Sequence, residues 1–259
     1  MGKIDLNFKP SVPVFDANLA LGRRHDRRVV VDETEGVLKA MDDVGVDRAV
    51  AYAPHAAGYD SREGNALLIE QIGDESRLIP QFVCNPTWDE MGEFTDLVDK
   101  HEIKSVRMVP ALHLYPFRDW IVKSWLDWLG EANIPVWLPV GYNLLGAEYE
   151  LKPSEVYETL NAHPNVTAVL SEVQYHKMSW AMPLLRSLPN LYVEISRLAN
   201  TDGLERLEAA VGFDRIMYGS RFPDQAIAPQ LYYLHHAGLN EETLKDICSR
   251  NLERILGLD

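Results

Sequence analysis

Eight short β-rich runs alternate with amphipathic stretches along this chain, and that alternation excludes most architectures before any single residue is weighed. The runs cover residues 14–18, 48–53, 78–84, 105–109, 135–140, 167–172, 191–196 and 215–220. Between them, residues 34–44, 62–72, 89–100, 118–132, 154–162, 180–188 and 203–211 repeat apolar side chains at a helical period. Successive parallel strands need a crossover of about a dozen residues or more, and an amphipathic helix supplies it. Eight such units are the count of a closed (β/α)8 barrel, and a chain of 259 residues is filled by one such domain. The expectation is an α/β fold, one barrel domain over residues 1–259. Two further helices, 228–237 and 241–256, follow the last strand, with Asn240 as the N-cap of the second. In helix 118–132, Trp120, Val122, Trp125, Leu126, Trp128 and Leu129 are expected to face the barrel.

In such a barrel the reaction centre is built at the C-terminal strand ends. Pro54, Asn85-Pro86, Pro110, Gly141 and Gly219 mark those ends as strand-to-loop turns. His55, Arg107, His113, Tyr142, Asn143, His176 and Glu194 fall at or just past them. Glu194 shares a strand face with Tyr192 and Ser196, so its charge needs a partner, and Arg107 or Arg221 is expected to supply it.

The net charge of −14 disfavours nucleic acid, whose recognition needs clustered Lys and Arg. The basic run Arg23 to Arg28 is the local exception and reads as a solvated loop. Two cysteines, Cys84 and Cys248, are too few for a disulfide framework, and no apolar segment has the length of a signal peptide core or a membrane span. A cytoplasmic protein without membrane contact is expected, and Tyr232 and Tyr233 are available to a homo-oligomer interface. Gly141 to Gly146 has the spacing of a phosphate loop but lacks the following Lys-Ser/Thr, and neither G-x-S-x-G nor H-E-x-x-H occurs. No cofactor is called for.

Several segments in order resemble one known family. Residues 213–224, reading Phe-Asp-Arg-Ile-Met-Tyr-Gly-Ser-Arg-Phe-Pro-Asp, resemble the D-R-[IL]-[LM]-[FY]-G-S-D-[FYW]-P segment of the amidohydrolase-2 family. Residues 42–50, 77–86, 134–136, 163–166 and the Asn251 to Leu258 ending follow in the family's order. The resemblance implies a TIM barrel and a metal-dependent hydrolase or decarboxylase. It also implies metal ligands that this chain lacks. The family's D-x-H-x-H on the first strand is Asp16-Ala17-Asn18-Leu19-Ala20 here, the fifth-strand His aligns with Pro139, the sixth-strand His with Glu172, and the eighth-strand Asp with Arg221. A divalent transition metal needs three or four N, O or S donors, so no metal is expected.

If these positions keep their direction, Glu172 and Arg221 both point into the barrel mouth and pair. Three readings of the pair stay open. It fills the vacated cavity, or Arg221 binds an anion while Glu172 acts as a base, or the pairing is unrelated to either. The second makes Glu172, Arg221 and His176 the catalytic candidates, with Asn18, His55, Arg107, His113, Tyr142 and Glu194 binding a small anionic compound such as a lactone or carboxylated metabolite. The contrasting function is a barrel without catalysis that binds a metabolite or a partner chain.

Overall fold

The computed structural model describes residues 8–141, 149–198 and 202–258. Nine parallel segments build eight barrel strands: β1 (Phe15–Ala20), β2 (Arg48–Tyr52), β3 (Leu78–Pro80 and Phe82–Cys84), β4 (Val106–Met108), β5 (Val136–Pro139), β6 (Ala168–Ser171), β7 (Leu191–Glu194) and β8 (Ile216–Met217). The run expected over 78–84 is split at Gln81. Its first half pairs with β2 and its second with β4, so Gln81 sits where the strand changes neighbour. Pairing then proceeds in chain order to β8. The ring closes through Ala17 N donating to Tyr218 O at 3.0 Å, Arg221 N to Asn18 O at 2.8 Å and Ala20 N to Phe222 O at 2.8 Å. This is the (β/α)8 barrel expected from the alternation.

The strands are Val-, Leu- and Ala-rich and buried on both faces, as a parallel sheet wrapped in helices requires. Outside lie the crossover helices, among them Thr34–Val44, Ser61–Ile72, Met91–Lys100, Asp119–Ala132, Pro153–Ala162, Met178–Ser187 and Gly203–Val211. In Asp119–Ala132 the buried face is Val122, Trp125, Leu126 and Leu129, spaced i, i+3, i+4, i+7. Trp120 is 78% exposed, contrary to the sequence expectation, because two residues before Val122 it falls on the far side of the helix.

The last helix is not continuous. It runs as Glu241–Lys245, a π segment Asp246–Arg250, and Asn251–Leu256. Ile247 O accepts a hydrogen bond from Tyr218 N at 2.8 Å, and the Asn251 carboxamide donates to Phe213 O and Ile216 O, both at 2.8 Å. Polar groups of this helix are drawn into the ends of β8, and the wide π turn is where the ladder accommodates them. Asn240 caps the start, its Oδ1 accepting from Thr243 N at 2.9 Å.

Inside the barrel, Phe15, Ala17, Val50, Trp137, Val169 and Met217 form an apolar floor with Leu252 and Leu256 of the last helix. Trp137 Nε1 donates across it to Ala17 O at 3.0 Å. The polar residues described next come later along the same parallel strands and so lie above this floor. No helix among the described residues is long and apolar enough to cross a membrane.

Candidate functional site

Above the floor the interior becomes charged. Arg107, on β4, is fully buried, and each part of its guanidinium has a neighbour. Nε donates to Gln81 Oε1 at 2.7 Å, Nη2 to Asn18 Oδ1 at 2.8 Å, and Cζ lies 3.9 Å from the Tyr52 ring centroid. Since β1 and β4 are not neighbours in the sheet, the bond to Asn18 crosses the barrel lumen. Asn18 passes the connection on, its Nδ2 donating to Glu194 Oε1 at 3.1 Å. A carboxamide both accepts and donates, which lets it stand between a cation and an anion.

Glu194, at the end of β7, therefore pairs with no arginine among the described residues, contrary to expectation. Its carboxylate accepts from Asn18, from Ser196 N at 2.7 Å, from Ser196 Oγ at 2.9 Å and from Glu172 N. Burial pushes this carboxyl above its usual range, against those donors, and the Glu172 charge adds to the rise. Gly219 is needed beside it, since a Cβ there would collide with Glu194 Oε2.

Glu172 follows β6, and Arg221 lies beyond β8. Arg221 Nε donates to Glu172 Oε2 at 2.7 Å, and Glu172 is wholly buried while the Arg221 side chain is 12% exposed. Both adopt left-handed backbone, each with φ of 59°. That conformation costs a residue with a Cβ about 1–2 kcal/mol, and such positions collect at functional sites. Ser171 already occupies a buried strand position before Glu172. The left-handed turn is what brings the next side chain inward as well. Glu172 Oε1 and Arg107 Nη1 face each other at 3.9 Å, and neither has a hydrogen-bond partner among the described residues.

Arg221 also reaches Asp224, Nη2 to Oδ2 at 3.1 Å. Burial works against its charge, but Glu172 and Asp224 outweigh that and hold its pKa above the usual arginine value. The same Asp224 oxygen accepts from Arg24 Nη1 at 2.7 Å and Arg27 Nη2 at 3.1 Å. The basic run is thus not simply solvated: the Arg24 side chain is only 7% exposed and ties the β1 loop to the β8 loop. At the base of this loop system Asp16 Oδ1 accepts from Asn18 N at 2.9 Å and Ser220 N at 2.8 Å, while Oδ2 has no partner among the described residues. Burial pushes the Asp16 carboxyl up to about 7, against these hydrogen bonds.

The family model described as Amidohydrolase matches residues 11–258. The chain belongs to this amidohydrolase family. Among solved structures, this amidohydrolase-family barrel is similar to an uncharacterised TIM-barrel protein from Bordetella bronchiseptica, at 16% identity over 97% of this chain and 99% of the other, with a TM-score of 0.77. It is also similar to 5-carboxyvanillate decarboxylase from Novosphingobium aromaticivorans, at 13% identity, 96% and 98% coverage and a TM-score of 0.78. A third is 2,6-dihydroxybenzoate decarboxylase from Rhizobium, at 14% identity, 96% and 99% coverage and a TM-score of 0.76. At such identities the likeness establishes the fold. No curated protein matches the chain.

Of the residues singled out from sequence, the amidohydrolase-family barrel brings Asn18, Arg107, Glu172, Glu194 and Arg221 into one network. It does not bring in the histidines. His55 sits at the rim, its Nδ1 2.7 Å from His25 Nε2 and its Nε2 3.2 Å from Glu63 Oε2. His113 packs under the neighbouring short helix, and burial pushes its pKa down to about 4, so it is neutral. His176 is exposed in a separate cleft of about 510 Å³ with Tyr175, Met182 and Arg206. It is exposed on the 175–177 turn, whereas Glu172 is wholly buried and Arg221 nearly so. Tyr142 and Asn143 lie outside the described residues. Sequence reasoning passed over Tyr52, Gln81, Arg24 and Asp224 as members of the network. Strand parity would have found Gln81, two residues after Ile79, which packs on the floor. Nothing local points to Asp224 or Arg24, which meet only through loop geometry. Among the described residues, no group of three or more His, Cys, Asp or Glu is arranged to hold a metal ion.

Proposed function

We propose that this chain is a metal-independent hydrolase or lyase that acts on a small carboxylate, such as a lactone acid, at the C-terminal mouth of its barrel. The observation that carries this reading is the Arg221–Glu172 pair, 2.7 Å apart in left-handed backbone, at positions the family resemblance gives to metal ligands. The donor set does not fit a divalent cation. Asn18 already bonds Arg107 and Glu194, Ala20 and Pro139 offer no side-chain donor, and Glu172 is claimed by a guanidinium. Two like unit charges 4 Å apart repel by about 4 kcal/mol in a partly buried site, and a divalent ion beside Arg221 would meet about twice that. The similar 5-carboxyvanillate decarboxylase binds manganese and a nitrobenzoic acid, which supports an anionic carboxylate as the ligand class while marking the metal as the point of departure.

In this reading Arg221 covers Glu172 and exchanges it for the substrate carboxylate, one charge-assisted pair for another. Glu172, whose Oε1 has no hydrogen-bond partner among the described residues, is then the acceptor for a proton. For a lactone, it takes the proton of the attacking water as the oxygen adds to the carbonyl carbon. The proton then returns to the ring oxygen as the C–O bond breaks.

The test is turnover of a panel of lactone acids and hydroxybenzoates by protein dialysed against a chelator, with metal content measured on the same sample. Activity in the metal-free sample, lowered a hundredfold or more by Glu172→Gln, is the expected result. Activity that requires near-stoichiometric retained metal would overturn the reading. The complete burial of Glu172, Arg107 and Glu194 favours a second reading, a barrel whose network only seals the lumen and whose mouth binds without catalysis. Ligand binding with no turnover across the panel would select it.

A further inference from the structure

Arg197 follows β7 at the barrel mouth, and unlike Arg24, Arg107 and Arg221 it pairs with no carboxylate among the described residues. With the Gln174 carboxamide assigned so that its oxygen faces the guanidinium, that oxygen accepts from Nη1 and Nη2 at 2.5 and 2.9 Å, a neutral acceptor. Nη1 rests on Gly141, where a Cβ would lie 3.0 Å from it and 2.7 Å from the Glu172 carbonyl oxygen, so glycine lets both the guanidinium and the Glu172 backbone approach this point. We infer that Arg197, held by Gln174, is the docking group for a carboxylate of the ligand at this mouth. The inference rests on the reading of the mouth as the site of a small anionic substrate, and it names the residue that receives the anion.

The physical argument is one of unneutralised charge. Arg197 is partly buried, and both that burial and the nearby Arg221 charge work against its cationic form. A guanidinium drawn out of water beside another cation is relieved by an oxyanion, and its planar fork matches the two oxygens of a carboxylate. Arg221 is already held by Glu172 and Asp224, which leaves Arg197 as the guanidinium whose described acceptor is neutral. Glu172, Glu194 and Asp224 all lie close enough to act on Arg197, which disfavours a dianion. A monoanionic carboxylate fits this balance better than a phosphate. Docked there, it lies within the electrostatic reach of Arg221 and Glu172, the pair whose exchange of partners is proposed for catalysis.

The experiment is calorimetric titration of the full-length protein at low ionic strength with sodium benzoate, with sodium chloride as the blank. Wild type is expected to bind benzoate. Arg197→Gln weakens binding tenfold or more, Arg197→Lys weakens it less because charge is kept without the fork, and Arg186→Gln on the exposed helix leaves it unchanged. A readout that does not depend on the variants folding is the Arg197 Nε–H resonance of the wild-type protein, expected to shift with benzoate. Benzoate binding by Arg197→Gln within twofold of wild type, or a wild-type titration that moves other arginine resonances but not this one, overturns the inference and leaves the functional reading with Arg221 as its anion partner. Inorganic phosphate binding more tightly than benzoate overturns the assignment of a carboxylate. Wild type that binds no benzoate overturns this inference and the functional reading together.

Discussion

The floor and the mouth of the barrel lumen are built from the same strands and are equally dry, yet they are held by different physics. On the floor, Phe15, Val50, Trp137, Val169 and Met217 gain from leaving water, and any apolar side chain of similar volume would serve. At the mouth, Asn18, Gln81, Arg107, Glu172 and Glu194 are as fully buried, and each is tolerated because particular partner atoms meet it. Apolar packing degrades gradually when altered. A buried charge that loses its partner keeps its full desolvation cost. The contrast shows where this fold is robust and where it is exacting.

The largest expected effect comes from breaking the floor. Trp137→Ala removes a fully buried indole and its hydrogen bond to Ala17 O, and should lower stability by about 3–5 kcal/mol in denaturant unfolding. That loss should be the same at low and high salt, since no charge is involved. A strong salt dependence would mean that floor and mouth are not separate layers.

Next comes the mouth. Arg221→Met strands the Glu172 carboxylate and should destabilise by about 3 kcal/mol, whereas Glu172→Gln combined with Arg221→Met should recover much of the loss. If the single and double variants melt together at the wild-type temperature, the pair contributes nothing and the contrast fails at its centre.

The smallest effect sharpens the contrast through pH. The folded Asp16 carboxyl is raised from 3.8 to about 7 by burial, so the native state holds a proton that the unfolded chain releases. The stability this contributes is fully present below the unfolded pKa and is lost as pH rises through the folded value. From about pH 5 to about pH 8 the loss should be roughly 2.6 kcal/mol. Asp16→Asn should flatten that slope in thermal melts at several pH values. An unchanged slope would show that Asp16 does not carry the proton.

Much of the barrel was legible because periodicity is a local signal. Strands β2, β5 and β6 and helices Thr34–Val44 and Gly203–Val211 sit where the runs and stretches place them, within a residue or two. The departures have tertiary causes. Gln81 breaks its strand because the two halves face different neighbours. The last helix widens because Ile247 and Asn251 are drawn to β8. At the site, the meeting of Glu172 with Arg221 was legible through the family's ordered segments, while the histidines were overvalued because a position near a strand end does not settle which way a loop side chain turns.

The order of apolar and polar residues along the chain determined by itself that eight βα units would close into a barrel with its polar groups at one end, because hydrophobic period and chain length leave few other ways to bury that surface. Apart from Glu172 with Arg221, which polar groups meet was decided only by the tertiary structure. Asn18 lies 89 residues from Arg107 and 176 from Glu194, and Glu172 lies 49 from Arg221. Those separations collapse to hydrogen-bond lengths only when the ring closes, and the strength of a buried charge pair depends on that final geometry rather than on anything local to either residue.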